Sequence, residues 1–266
     1  MRCARMAVPC ASVTVVDDAS SPVQEETAEA LRSMGAEYVQ SSWERHGNLR
    51  GPDCIRGMLS EMCREAEDDD ILVKVDCDTA LLDGGWLRWM EQRPWCQMYT
   101  SGDFVNGDWR VFGCLYALRG WIARRLYREM DWSLLDDRAP EDWTIGREVL
   151  ARVPAALCRI DEPWRKRSPW SIWTAWCWPS RTVSAESYAA RFAVVITGSP
   201  RMSNQPASER ARVMHLLADA SERMLREGVA REDDEAVDWG DLLAACKGEA
   251  ESMQTPCTKL ADRQVI

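Results

Sequence analysis

The sequence predicts an α/β protein with a doubly wound, mostly parallel sheet flanked by helices. Three candidate strands lie within the first 75 residues, and segments with helical periodicity separate them. Strands and helices that alternate at this spacing form parallel sheets, because each helix carries the chain back to where the next strand begins. Acidic residues follow two of the strands, at the ends where open α/β sheets bind their ligands.

The first half of the chain alternates between strand and helix in a regular order. Pro22 is expected to open the first helix and Gly35 to end it, since proline and glycine are common at these positions. The second helix carries its apolar residues on one face. The predicted elements are strands at 12–16, 36–40 and 71–75 and helices at 22–34 and 52–66.

The second half follows a less regular order. Five of the 14 tryptophans lie between Trp164 and Trp178, in a stretch expected to form an irregular loop that packs over the sheet. These rings could alternatively stack on the C–H faces of sugars. The predicted elements are strands at 96–100, 111–118 and 192–197 and helices at 86–91, 120–130, 141–152 and 207–227.

Composition restricts the classes of partner. The chain of 266 residues has 33 basic and 43 acidic residues, and such a net acidic chain binds polyanionic nucleic acid poorly. Nine acidic and four basic residues lie in a tail at 228–266. We expect one domain over residues 1–200, a helix over 201–227 that packs on it, and a partly disordered tail over 228–266.

Cysteine usage and hydropathy indicate the compartment. The 11 cysteines include no C-x-x-C pair, so neither a zinc ribbon nor a small disulfide scaffold is expected. No window approaches 18 consecutive apolar residues, and the first ten residues lack the apolar core of a signal peptide. We therefore expect a cytoplasmic protein with reduced thiols and no transmembrane segment. Its oligomeric state is left open.

Two carboxylates after the third strand are the leading candidates for chemistry. Asp76 and Asp78 are one residue apart and directly follow the run at 71–75, so both can face one hard cation such as Mg²⁺ or Mn²⁺. That ion would neutralise charge on a departing diphosphate. The alternative is two ordinary acids at a turn, because D-x-D is frequent by chance.

Two further acidic pairs are candidates with simpler alternatives. Asp17 and Asp18 follow the first strand, where a carboxylate can accept from a base or a ribose hydroxyl but can also cap a helix. Glu141 and Asp142 open a predicted helix, where a carboxylate can act as general base or only compensate the helix dipole.

Taken in order, these segments resemble the family 2 glycosyltransferases, which have the GT-A fold. The resemblance covers residues 12–152. Its blocks are V-V-D-D-A-S at 15–20, G-N-L-R-G at 47–51 with C-I-R-G at 54–57, K-V-D-C-D-T at 74–79, G-C-L-Y-A-L-R at 113–119 and E-D-W-T-I-G-R at 141–147.

The resemblance implies a metal-dependent, inverting transferase that uses a nucleoside-diphosphate sugar. By that resemblance, Asp17 or Asp18 would contact the base of the donor. Asp76 would bind ribose and diphosphate and, with Asp78, hold Mn²⁺ or Mg²⁺. Arg56 would contribute to substrate binding.

On the acceptor side, the resemblance implies that Asp142 is the general base for the hydroxyl of a glycan or other acceptor, with Glu141 beside it as a substrate-binding residue. The sequence departs from the family in two places. Ala19 replaces the usual glycine, and too few residues precede Val13 for the strand and helix with which the family begins.

Two other functions stay open. A non-catalytic module that binds nucleotide sugars or glycans would explain the abbreviated start. A nucleotidyltransferase on a similar sheet would need a glycine-rich triphosphate loop, which the sequence does not show.

Overall fold

A computed structural model of the chain describes residues 1–45, 49–105, 108–161, 174–175, 184–197 and 207–228. Eight α-helices and nine strands lie within these residues, so the α/β class is confirmed. The helices are α1 (Arg2–Ala7), α2 (Glu25–Ser33), α3 (Pro52–Cys63), α4 (Gly85–Glu91), α5 (Gly120–Glu129), α6 (Glu141–Arg152), α7 (Ala185–Arg191) and α8 (Ala207–Glu227). The strands are β1 (Thr14–Asp17), β2 (Glu37–Gln40), β3 (Ile71–Val75), β4 (Thr79–Leu81), β5 (Met98–Val105), β6 (Asp108–Arg119), β7 (Cys158–Asp161), β8 (Thr174–Ala175) and β9 (Val194–Ile196).

The strands form a two-stranded sheet β1-β2, a four-stranded sheet β3-β6-β5-β7 and a three-stranded sheet β4-β9-β8. Three of the pairs between described strands are parallel and three are antiparallel, so one doubly wound, mostly parallel sheet is not confirmed. The length of one connection explains part of this mixed strand direction. Only two residues separate β5 from β6, and such a short connection forces the two strands to run antiparallel.

Helices cover both faces of the four-stranded sheet. Tyr116 and Leu118 of β6 pack with the apolar residues of α3, α5 and α6. Leu115 and Ala117, which alternate with them, pack with α4 on the other face. Each fully buried aliphatic side chain in these layers stabilises the fold by about 1.5–3 kcal/mol. A third cluster joins α1, α7 and α8 around Tyr188.

The starts of α3 and α6 are held side by side. Gly51, immediately before α3, has a φ of 85°, and a Cβ there would lie 2.8 Å from the Asp137 carbonyl oxygen. Its N–H donates to the Ala139 carbonyl at 3.0 Å, and the Glu141 N–H donates to the Leu49 carbonyl at 3.1 Å. Glycine is required by this left-handed, crowded backbone, which brings the first turns of two helices together.

Several predicted features fall outside the described residues. These are Gly47 and Asn48, the tryptophan-rich stretch except for β8, and the tail from residue 229. None of the helices in the described ranges has both the length and the apolar character that crossing a bilayer requires. The eight cysteines in those ranges are all free thiols.

Candidate functional site

The carboxyl end of β3 leads into a tight turn that carries both predicted metal ligands. The Thr79 N–H donates to the Asp76 carbonyl at 3.0 Å, and the Thr197 N–H and hydroxyl both donate to the Asp78 carbonyl at 2.8 Å. The backbone of the turn is therefore tied to the end of β9. The Asp76 and Asp78 side chains stay 38% and 27% exposed, so both carboxylates are open to a ligand.

The two carboxylates lie within electrostatic reach of each other. Burial raises the pKa of Asp78, and the neighbouring charge of Asp76 raises it further. Like charges held this close disfavour ionisation of both groups, and a cation between them removes that penalty. The charges of Arg210 and Lys74 oppose this rise in pKa, so two protein cations already offset part of the negative charge at the turn.

Lys74 is the site residue that the sequence did not single out. Its side chain is only 8% exposed, and its ammonium lies 2.5 Å from Asp76 Oδ1 and 3.8 Å from Glu141 Oε2. It also donates to the Gly113 carbonyl. Burial alone would lower the pKa of Lys74, but Glu141 and Asp76 raise it well above its usual value. The residue is therefore a fixed internal cation.

The sequence holds a signal for this role. Lys74 interrupts the apolar run of β3, and a charge inside a buried strand needs a partner. Alternate side chains of a strand share a face, so Asp76, two residues away, is placed to be that partner.

The first turn of α6 places two carboxylates against β6. Glu141 is 4% exposed, and its Oε1 has no hydrogen-bond partner within the described residues. Burial raises the pKa of Glu141 to about 7, against the opposing charge of Lys74. Asp142 is half-buried, and its Oδ1 accepts from the Trp143 N–H at 2.9 Å. Burial also raises the pKa of Asp142, which the Trp143 hydrogen bond and the charge of Arg110 oppose.

Gly113 is the point at which the strand and helix meet. A Cβ on this residue would lie 2.9 Å from Glu141 Oε2 and 3.3 Å from Asp142 Cβ. The missing side chain lets α6 approach β6 closely enough for Lys74 to reach Glu141. The structure thereby brings the Asp76 turn and the Glu141–Asp142 pair into one acidic cluster (Asp76, Asp78, Glu141 and Asp142).

Asp17 serves the turn after β1. Its Oδ1 accepts from the Asp18 N–H at 2.9 Å, and its Oδ2 accepts from the Val23 N–H at 2.7 Å and the Tyr38 hydroxyl at 2.6 Å. Both oxygens are engaged in holding the chain between β1 and α2. Of the two roles considered for this residue, the geometry favours the structural one.

Asp18 also serves this turn, where its Oδ1 accepts from the Ser20 N–H at 3.0 Å and the Ser20 hydroxyl at 2.9 Å. Arg45 approaches it, with Nε 3.6 Å from Asp18 Oδ2, and the charge of Arg45 also acts on Cys77 between the two metal-ligand candidates. Burial raises the pKa of Cys54 to about 12, and the charges of Glu141 and Asp18 contribute. The end of β1, the start of α3 and the acidic cluster therefore border one region.

Arg210 is a second residue that the sequence did not single out. It lies in the first turns of α8, and its guanidinium is 4.0 Å from Asp78 Oδ2. The sequence predicted only that this helix packs on the domain. A cation from α8 at the metal-ligand turn could be found only from the tertiary structure, because 132 residues separate it from Asp78.

Arg56 lies on another surface. It projects from the exposed face of α3, where its guanidinium is 5.8 Å from the centre of the Tyr127 ring. It lines a cleft together with Trp43 and Asp53. The structure thus separates Arg56 from the acidic cluster that contains the other predicted residues.

The cluster fits a metal whose remaining ligands come from substrate. Within the described residues, no three or more His, Cys, Asp and Glu side chains are grouped to hold an ion. Asp76 and Asp78 supply two carboxylates, and Mg²⁺ in phosphate-transfer sites commonly takes one or two carboxylates, with phosphate oxygens and water as its other ligands.

The acidic cluster itself is therefore the basis for assigning a function. It combines four carboxylates from two elements with a buried ammonium and a neighbouring guanidinium. Comparison of the chain with protein-family models and with curated proteins gives no match.

Proposed function

We propose that this chain is a glycosyltransferase of the GT-A type, which moves a sugar from a nucleoside-diphosphate sugar to a hydroxyl acceptor with inversion and a divalent metal. The observation that carries the proposal is the meeting of the Asp76–Asp78 turn with the Glu141–Asp142 turn around Gly113. Sugar transfer needs charged groups that stabilise the leaving diphosphate and a base that takes the proton of the acceptor. These two turns would supply both.

On the donor side, Asp76 and Asp78 would hold Mn²⁺ or Mg²⁺. The bound ion would neutralise charge on the diphosphate as it departs. Arg210, 4.0 Å from Asp78, adds a second cation beside the same turn. Asp18 is the candidate for the nucleoside through its Oδ2, since its Oδ1 accepts from Ser20 and both oxygens of Asp17 are engaged in the turn that follows β1.

On the acceptor side, Asp142 would act as the general base. The acceptor oxygen attacks the anomeric carbon while the bond from that carbon to the diphosphate oxygen breaks, and the hydroxyl proton passes to Asp142. Burial raises the pKa of Asp142, which makes its carboxylate a better proton acceptor. Glu141 lies deeper and fixes Lys74 rather than facing the acceptor.

Asp142→Asn is expected to reduce transfer to the acceptor about 10²–10⁴-fold, the usual contribution of a positioned base. Binding of UDP with Mn²⁺ should be unchanged, because Asp142 does not contact the donor in this scheme. Steady-state transfer and calorimetry on the same preparations check both statements. Asp131→Asn, which removes an exposed carboxylate from another helix start, is the matched control. Full transfer activity in Asp142→Asn would exclude this base.

A non-catalytic binding module is the second candidate. The observation that favours it is the occupation of Asp76 Oδ1 by Lys74, which leaves fewer free oxygens for a metal. Calorimetric titration of the wild-type chain with UDP, GDP and CDP, with and without Mn²⁺, tests the proposal. We expect binding of at least one diphosphate that depends on Mn²⁺. If none of them binds, the transferase is refuted, and binding without turnover of the corresponding sugar donors identifies the module.

A further inference from the structure

A cleft of about 490 Å³ lies on the exposed side of α3, outside the acidic cluster. Two aromatic side chains, Trp43 and Tyr127, line it together with polar groups from α3. The polar groups include the carboxylate of Asp53, the guanidinium of Arg56 and the hydroxyl of Ser60. None of these groups has a part in the transfer step proposed above.

Trp43 is held in place as a preformed platform. Its indole lies directly over Gly57, where a Cβ would be 2.2 Å from the ring. Its carbonyl accepts from the Ser41 hydroxyl at 2.7 Å, and that hydroxyl accepts from the Ala19 N–H at 3.1 Å. The ring is therefore fixed both by glycine beneath it and by its backbone, and a pocket formed in advance binds at lower entropic cost.

The chemistry of the lining fits a neutral sugar. Aromatic rings pack against the C–H face of a pyranose, while carboxylate, hydroxyl and guanidinium groups exchange hydrogen bonds with its hydroxyls. Two carboxylates, Glu44 and Asp53, and one guanidinium, Arg56, line the cleft. A phosphorylated or acidic ligand is disfavoured by this balance.

The cleft borders the acidic cluster across the first turn of α3. Asp53 lines the cleft, while the next residue, Cys54, points the other way and its thiol lies 3.9 Å from the Arg45 carbonyl. The Arg45 side chain in turn approaches Asp18. The first turn of α3 thus stands between the cleft and the acidic cluster.

We infer that this cleft is a binding site for a neutral glycan, apart from the acidic cluster. The sugar stacks on Trp43 and donates hydroxyl hydrogen bonds to Asp53. This binding does not depend on the proposed function.

Saturation-transfer NMR with cellobiose, lactose, maltose and chitobiose tests the inference on the full chain. At least one disaccharide should receive saturation from the wild-type protein, and Trp43→Ala should weaken its affinity at least tenfold. Trp95→Ala is the matched control, since Trp95 is another tryptophan, 47% exposed and outside the cleft. The Trp95→Ala variant should bind the disaccharide with the affinity of the wild-type protein.

A second variant guards against a folding defect in Trp43→Ala. Asp53→Asn keeps the shape of an exposed residue and should lower affinity several-fold, because hydrogen bonds to a carboxylate are stronger than those to an amide. Glu26→Gln, in the first turn of α2, is its control and should have no effect.

Titration of the same proteins with UDP and Mn²⁺ separates the two proposals. If wild type binds UDP but no disaccharide, or if Asp53→Asn and a folded Trp43→Ala bind sugar as wild type does, the cleft is not the glycan site. If a disaccharide binds in the predicted manner and no nucleotide does, the inference stands and the transferase fails.

Discussion

Asp76→Asn and Asp78→Asn are each expected to lower metal-dependent donor turnover by about 10³-fold. Each change removes one of the two carboxylates that would hold Mn²⁺ or Mg²⁺ against the diphosphate, and losing one preorganised electrostatic group typically costs this much. The amide keeps the size of the side chain, so the fold should persist. The two variants should differ in stability, because Asp76 also pairs with Lys74 whereas Asp78 is raised in energy by its acidic neighbour.

Rates measured across a Mn²⁺ titration check this expectation, with circular dichroism to confirm folding. Asp70→Asn is the matched control, because this aspartate lies just before the opposite end of β3 and its side chain accepts from the Glu67 N–H at 2.8 Å. It should keep full activity. Wild-type turnover in Asp78→Asn, at the same Mn²⁺ concentration, would show that the turn does not hold the ion.

Lys74→Met is expected to lower the free energy of unfolding by about 3–5 kcal/mol, the usual result of removing one partner of a buried ion pair. The change leaves Glu141, which is 4% exposed, without its cation and deprives Asp76 of its closest contact. Arg32→Met removes a cation from the exposed pair with Glu25 and should cost less than about 1 kcal/mol.

Urea unfolding of single and double variants tests the origin of the loss. Lys74→Met combined with Glu141→Gln should recover a large part of the stability, because no buried charge is then left at position 141.

The loss of unfolding free energy in Lys74→Met should also depend on pH. Burial raises the pKa of Glu141 from 4.5 to about 7, so this carboxyl favours the folded state below pH 4.5 and opposes it increasingly as pH rises through 7. An equal loss at pH 4.5 and 8, or no recovery in the double variant, would contradict the pairing.

Local patterns were sufficient to predict much of the secondary structure. The run at 71–75 is the strand β3, and the periodic segments at 141–152 and 207–227 are the helices α6 and α8. Each of these segments carries its own signal, in β-branched residues or in apolar spacing. The short helix α1 and the three-residue strand β4 carry none, because packing against α8 and β9 stabilises them.

Pairing between distant segments could not be predicted in this way. The direction of β6 relative to β3 depends on contacts across the sheet, and the carbonyl that accepts from Lys74 lies 39 residues away. The same holds for the candidate site. The sequence showed the acidic residues of the cluster as two pairs, Asp76 with Asp78 and Glu141 with Asp142. It showed Lys74, the cation between the pairs, only as a lysine in an apolar strand.

Two adjacent helix starts also change the charge balance at this place. The first turns of α3 and α6 are joined through backbone hydrogen bonds near Gly51 and Glu141. An α-helix carries about half a positive charge at its amino end, so the pair contributes roughly one positive unit. Backbone dipoles thereby share with Lys74 the task of offsetting four carboxylates. These backbone charges help keep an acidic pocket folded without a bound ion, and the proposed divalent ion would meet a site that is already formed.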